Sequence, residues 1–483
     1  MTVVTRHEPA GPEPADHMPA VSSPAGPADP AGPAVVPAVP RLADGVELLG
    51  EYQNSGYRQP PSLVRRADGQ VIQMTPLLYQ VTARTDGSRD AATIAELVSA
   101  DIGRTLTADQ VGHVVAARLI PLGIVARPGR PTVAPTANPL LALRARGTLL
   151  PEPVANAAGR VLRPLFHQPL VIAVVGTTAA LDYWLFFRHG LGAGLAQVMR
   201  DPLDLLLVVA LTVISAAFHE CGHATGCRYG GARPGRIGVG IYLVWPAFFT
   251  NVTDSYRLSR GGRLRTDLGG LYFNLVFMLA LAGLYAVTSA QVLLLVIALT
   301  HLEMLEQLLP FVRFDGYFIL SDLVGVPDLF ARIAPVVRGA LGQGPRDPRV
   351  TGLRRRARII VTSWVVCVIP LLAVGLGYLV LHLPEINRAL WQSGSRQAHL
   401  MADALDGHRY PIAAVDALGI ALVALSLAGT LYILTGLARR FAVAGLRWSA
   451  GRPARRVLAA AGGLAVLAAL AVTWTAQGQF HGW

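Results

Sequence analysis

Apolar residues dominate the chain from about residue 165 onward, in stretches long enough to cross a bilayer as helices. Seven candidate spans fall at roughly 169–188, 203–225, 268–288, 292–310, 358–382, 412–436 and 457–476. Upstream the pattern changes. "SLVRRADGQVIQM" alternates on either side of Asp68-Gly69, which predicts a β-hairpin. "TPLLYQVTARTDG", stopping at Gly87, and "DAATIAELVSADIG" have helical apolar spacing. "TADQVGHVVAARLIPLGIV" opens on Thr107, an N-cap residue, and continues amphipathic. A hairpin beside three helices over 41–130 predicts a small α+β domain of winged-helix type. Residues 1–40, rich in Pro, Ala and Gly without periodicity, read as a disordered tail with no cleavable signal peptide. A proline-rich linker is expected over 131–165, a membrane core over 166–345 and further membrane helices over 346–483. The expected fold is therefore a polytopic α-helical membrane protein of about seven transmembrane helices, with a winged-helix-like N-terminal domain.

Composition sharpens this picture. Of 483 residues, 52% are hydrophobic and 15% charged, too apolar for an ordinary soluble enzyme of this length. Cys221, Cys227 and Cys367 lie in or beside apolar segments and form no disulfide framework. The formal charge of +12 is carried by arginine, since the chain has no lysine. With a cytoplasmic N-terminus, arginines favour the cytoplasmic loops by about four to one. The charge is then mostly a topology signal for an integral protein of the cell membrane. Between 41 and 130 about ten arginines stand against about nine acids. That balance lacks the basic face of a DNA-binding domain, and no nucleic-acid partner is expected.

The chemistry gathers in "VISAAFHECGHATGC", residues 213–227. His219 and His223 are four apart, so a helix stacks both imidazoles on one face. Glu220 lies about 100° round the axis, beside a metal held by the pair. This is the H-E-x-x-H arrangement for zinc with a general base, and a catalytic zinc keeps one position open for water. Chance is a poor alternative, because each polar side chain is costly inside an apolar span. A third ligand is sought in "LEQLLPFVRFDGYFILSD". Asp315 follows Pro310, which ends or kinks the preceding helix, and Gly316 allows a tight turn. The spans 203–225 and 292–310 end on the same side, so His219, His223 and Asp315 can meet at one depth. Glu303 and Glu306, in an apolar span with His301, are the rival ligands; otherwise they serve interhelical hydrogen bonding. Asp267 with Thr266 reads as an N-cap. Asp182 and Asp416 lie in spans without an identifiable partner, and Cys221 reads as small packing.

These segments resemble the site-2 protease family of intramembrane zinc metalloproteases, in its peptide zinc metalloprotease branch. HECGH matches the family's HExxH helix. "QLLPFVRFDG" looks like its N-x-x-P-x-P-x-L-D-G segment, and "LGGLYFN", residues 268–274, looks like its G-P-x-x-N segment. The likeness covers roughly residues 200–330. Gln307 replaces the usual asparagine, Val312-Arg313 a proline-containing pair, Phe314 a leucine, and Gly270 stands where proline is common. The resemblance implies a Zn2+ cofactor on His219, His223 and Asp315, with Glu220 as general base for peptide-bond hydrolysis. It also implies Asn274 and Gln307 as polar groups near the substrate; an interhelical hydrogen bond is the alternative for Asn274. "RIGVGIYLVWPAFFTNVTD", with Ile237, Val239 and Ile241 alternating with glycines, corresponds to a family strand that pairs with unfolded substrate; the alternative is an interfacial loop. The N-terminal domain is similar to the leader-peptide-recognition domain of ribosomal-peptide maturation systems; a purely structural cap is the alternative. The expected partners are a peptide or membrane-protein substrate and the lipid bilayer. Two other functions compete: a non-catalytic peptide-binding or transport component with a structural or silent metal site, and a membrane-anchored DNA regulator.

Overall fold

The computed structural model describes residues 2–5, 37–66, 71–126, 144–200, 202–242, 245–343 and 347–480. The Asp68-Gly69 turn, residues 6–36 of the tail and the proline-rich stretch at 127–139 lie outside them. The first element departs from the expected disordered tail: Thr2–Thr5 form a strand, β1, which pairs far along the chain. Its residues are all β-branched, which suits a strand once a partner edge exists.

The N-terminal domain holds β2 (Glu47–Glu51), β3 (Ser62–Arg65) and β4 (Val71–Met74) in an antiparallel sheet of order β2-β3-β4. Its helices are α1 (Pro76–Arg84), α2 (Ala91–Ile102) and α3 (Ala108–Val114). Each start has a local cause. The side chains of Thr75 and Asp90 accept from backbone N–H groups of the first turns of α1 and α2. Thr107 and Gln110 form a reciprocal capping box on α3. Val64, Ile72, Met74, Val81, Ile94, Val98 and Val111 close the core.

The expected linker is partly structured. Arg144–Leu150 form β5 and Glu152–Val161 form α4. The sequence alone hid β5, because its partner lies far away: it pairs antiparallel with β6 (Ile237–Tyr242), which forms a hairpin with β7 (Trp245–Asn251). The sheet order is β1-β7-β6-β5, with β1 parallel to β7. The strand expected from the Ile237, Val239 and Ile241 alternation is β6.

The remaining helices are α5 (Gln168–Trp184), α6 (Gly192–Arg200), α7 (Pro202–Tyr229), α8 (Arg260–Thr288), α9 (Gln291–Gln307) and α10 (Asp315–Val324). After them come α11 (Ile333–Ala340), α12 (Pro348–Thr351), α13 (Arg355–Leu381), α14 (Leu383–Asp406), α15 (Tyr410–Ser449) and α16 (Pro453–Phe480). Six are long and apolar enough to cross a membrane: α5 with its continuation to His189, α7, α8, α13, α15 and α16. The chain is a polytopic helical membrane protein. The seventh expected span is α9, whose 17 residues reach only about 25 Å. It packs on α7 and α8 through Val292, Leu293, Val296 and Ile297. The expected loop between 382 and 412 is instead the amphipathic helix α14, packed on α15.

Two contacts decide where the N-terminal domain sits. Its 52–61 segment inserts against the core: Gly56 N–H donates to the Gly325 carbonyl at 2.8 Å, and Arg354 N–H donates to the Gly56 carbonyl at 2.8 Å. Tyr57 shares one apolar cluster with Tyr317 and Phe318 of α10 and with Val361 and Trp364 of α13. The boundary drawn at residue 345 therefore runs through a common core. Beside this cluster, Arg263 of α8 and Asp322 of α10 form an ion pair at 3.0 Å with both side chains buried. Tyr52 donates its hydroxyl to the same Asp322 oxygen at 2.9 Å, and its ring lies 4.2 Å under the Arg263 guanidinium.

Candidate metal centre

α7 and α8 cross at glycine. A Cβ on Gly222 would strike the Gly269 carbonyl, and one on Gly269 would strike that of Gly222. Such small-residue crossings let two membrane helices approach backbone to backbone. The crossing lies at the level of His219 and His223, so α8 walls the site on one side. One residue on, a Cβ at Gly270 would collide with the His219 imidazole. Glycine at 270 thus has a local use: it leaves the His219 ring its space. Gly270→Ala is expected to displace His219 and lower zinc retention by about 10- to 100-fold, read as bound zinc after dialysis against a chelator.

The geometry at the site is compact. His219 Nε2 and His223 Nε2 lie 3.0 Å apart. Asp315 Oδ2 is 3.0 Å from the first and 3.5 Å from the second. All three side chains are buried, and each offers one ligand atom within 4.8 Å of the others. Donors about 2.0–2.1 Å from a tetrahedral zinc stand about 3.3 Å from one another, so the triangle has the right size. His223 Nδ1–H donates to the Thr266 carbonyl at 2.8 Å, which leaves Nε2 as the free lone pair. The donor set of two imidazoles and one carboxylate suits zinc and leaves a coordination position open.

Asp315 arrives here because α9 ends at Gln307 and the chain turns through Pro310, whose carbonyl accepts from Trp364 Nε1 at 2.7 Å. Gly316 has a different role from the one expected. It lies in the first turn of α10 and is close-packed, because a Cβ there would strike the Leu308 carbonyl. The rivals take other places. Glu303 Oε1 accepts from Gln307 Nε2 at 3.2 Å, and Glu306 is exposed. Neither belongs to the donor cluster.

Glu220 is fully buried, and neither carboxylate oxygen has a hydrogen-bond partner among the described residues. Its backbone carbonyl accepts from the Thr250 hydroxyl of β7 at 2.9 Å. A buried carboxylate without partners is costly, and the arrangement suits a group that gains its partner when metal and water are bound. Asn274, one turn beyond Gly270, is likewise buried with both amide atoms unpaired among the described residues. Among the described residues it makes no interhelical hydrogen bond.

Other expectations change. Asp267 is not an N-cap, because α8 begins earlier, at Arg260, and Thr266 donates within the helix to the Gly262 carbonyl at 3.0 Å. Asp182 has a partner, His301 at 3.0 Å. Cys221 packs with Ala155, Ala224 and Ile237. The Thr266 carbonyl and the Thr250 hydroxyl escaped the sequence reading. A backbone acceptor has no sequence signature, and the only hint at Thr250 is its place in the apolar run after β6.

On the N-terminal side, a polar cavity of about 390 Å³ separates the small domain from the end of β7. Glu47, Arg65, Arg66, Arg233, Asn251 and Asp254 line it. Arg65 bonds Glu47 at 2.7 Å and Asp254 at 3.2 Å, and Arg257 reaches both acids. The hydrogen bond from Arg65, aided by the charge of Arg257, holds the Glu47 carboxyl below its usual range.

Comparison with known proteins yields a limited likeness. The chain is similar to a protein of Bacillus subtilis (strain 168) named "Putative peptide zinc metalloprotease protein YydH", 27% identical over 153 residues. The alignment covers 31% of this chain and 61% of that relative, less than two thirds of its length. No family model matches the sequence, and no solved structure matches it. The chain is thus a distant relative, over about a third of its length, of a protein bearing that metalloprotease name.

Proposed function

We propose that this chain is an intramembrane zinc metalloprotease of the site-2 type. Its substrate is a membrane-associated or ribosomally made peptide. The observation that carries this reading is the buried donor triangle of His219, His223 and Asp315 with the unpaired Glu220 carboxylate beside it. The likeness to the Bacillus subtilis protein supports the same chemistry.

His219, His223 and Asp315 would hold a zinc ion, which would supply Lewis acidity toward a peptide carbonyl and toward the attacking water. His219 and His223 contribute neutral Nε2 lone pairs, and the Thr266 carbonyl fixes the tautomer of His223. Asp315 supplies negative charge from α10. Glu220 accepts a proton from the attacking water on a carboxylate oxygen and returns it to the leaving nitrogen. Asn274 and Gln307 are the polar groups near the substrate backbone or the developing oxyanion. The N-terminal domain, held against α8, α10 and α13, presents the peptide from the cytoplasmic side of the cell membrane.

Glu220→Gln tests this reading. The variant is expected to keep its zinc and to cleave about 10²–10⁴-fold more slowly. Peptide mass spectrometry of cells carrying each form identifies the substrate and reads the rate. Processing at the normal rate by Glu220→Gln, with zinc still bound, would favour the alternative of a peptide-binding or transport component with a silent metal site.

A further inference from the structure

The outer edge of β7 is occupied by the chain's own first residues. β1 runs parallel to β7 with Thr2 opposite Phe248, Val3 opposite Phe249, Val4 opposite Thr250 and Thr5 opposite Asn251. It also touches α7 and α10, the two helices that carry His219, Glu220, His223 and Asp315. Thr250, the register partner of Val4, is the residue whose hydroxyl donates to the Glu220 carbonyl at 2.9 Å. The four residues thus lie one strand away from the backbone of the proposed general base.

An unpaired strand edge presents a row of N–H and C=O groups, a ready template for pairing with another extended backbone. The edge of β7 therefore favours an extended backbone as its occupant, and backbone pairing of this kind accepts many sequences. Residues 6–36 connect β1 to the N-terminal domain and tether it to the same molecule. A tethered strand competes at an effective concentration on the order of millimolar. Only four residues pair, so the strand is held weakly enough to be exchanged.

We propose that Thr2–Thr5 act as a built-in occupant of the peptide-docking edge of β7, which an incoming extended peptide must displace before it reaches the metal centre. The proposal rests on the protease reading only in naming that edge as the substrate's own. The residues form a competitive gate: they leave the metal ligands in place and fill the edge beside them.

The test reads binding, so its outcome is separate from that of Glu220→Gln. The probe is a fluorescein-labelled peptide of sequence TVVTRHEPA, residues 2–10, titrated into purified protein in detergent. Deletion of residues 2–5 is expected to tighten its binding about two- to tenfold relative to the intact chain. The same peptide with Val4→Pro, which lacks one ladder donor, is expected to bind neither form. A second measurement uses Thr2→Cys with Phe248→Cys, a pair in register, which is expected to form a disulfide under mild oxidation. Thr2→Cys with Ile241→Cys, on the neighbouring strand β6, is expected not to. In the cross-linked protein the labelled peptide is expected to lose its binding, and reduction restores it. Equal binding to intact and shortened chains, or no disulfide at the register pair in a folded protein, overturns the proposal.

Discussion

Asp315→Ala is expected to lower the zinc affinity of the purified protein by at least about a hundredfold, beyond the 10- to 100-fold typical of groups that only orient a ligand. The reason is geometric. Asp315 Oδ2 is the third corner of the triangle, 3.0 Å from His219 Nε2 and 3.5 Å from His223 Nε2. Without it two neutral imidazoles remain, and the ion loses the carboxylate that offsets its charge in a buried site. Among the described residues neither rival acid of α9 belongs to the donor cluster. Glu306 is exposed, and Glu303 is bonded to Gln307 one turn along α9. Zinc is measured by mass spectrometry after dialysis against a competing chelator, with helicity as the control for folding. Zinc retention equal to that of the unaltered chain would move the third ligand to α9.

Asp322→Ala is expected to destabilise the protein by about 3–5 kcal/mol, because it leaves the buried Arg263 without its carboxylate. Arg263 Nε lies 3.0 Å from Asp322 Oδ1, and both side chains are at most 1% exposed. The guanidinium keeps its bonds to the carbonyls of Leu258 at 2.8 Å and Gln53 at 3.2 Å. Those acceptors carry no compensating charge. The Tyr52 hydroxyl loses its acceptor at the same time, so the loss falls on the seam between the N-terminal domain and the core. A denaturation midpoint well below that of the unaltered chain in the same detergent is the expected reading. Replacing both partners, as in Arg263→Met with Asp322→Leu, is expected to recover most of the loss, since it removes the charge as well as its partner. A double variant as unstable as Asp322→Ala would assign the cost to lost packing instead.

Much of this architecture was legible because its causes are local. The apolar runs that became α5, α7, α8, α13, α15 and α16 carry their length in the sequence. His219 and His223 share a face because they are four apart on one helix, which needs no knowledge of any neighbour. Asp315 was reached through the side on which two helices end. The features that escaped detection depend on remote partners. β1 is a run of four residues before a proline-rich tract, and its pairing is set by β7 near residue 250. β5 lay hidden in an expected linker for the same reason. Glycine at 269 and 270 could be seen, but its use could not, because the neighbours are Gly222 and the His219 ring on another helix. α9 reads as a span by composition, and its 17 residues stand at the short end of what a helical span needs. Thr300 and Gln307 on that helix are buried, His301 pairs with Asp182, and Gln307 bonds Glu303.

Two imidazoles of one helical turn and one carboxylate from α10 are expected to hold a single zinc ion. Zinc K-edge X-ray absorption on the purified chain, with total zinc counted on the same sample, tests it most directly. The expected result is about one zinc per chain in a four-coordinate shell of two imidazole nitrogens and two oxygens, one of them water. A chain that binds no zinc, or a shell that keeps both histidines and is unchanged in Asp315→Ala, would contradict it.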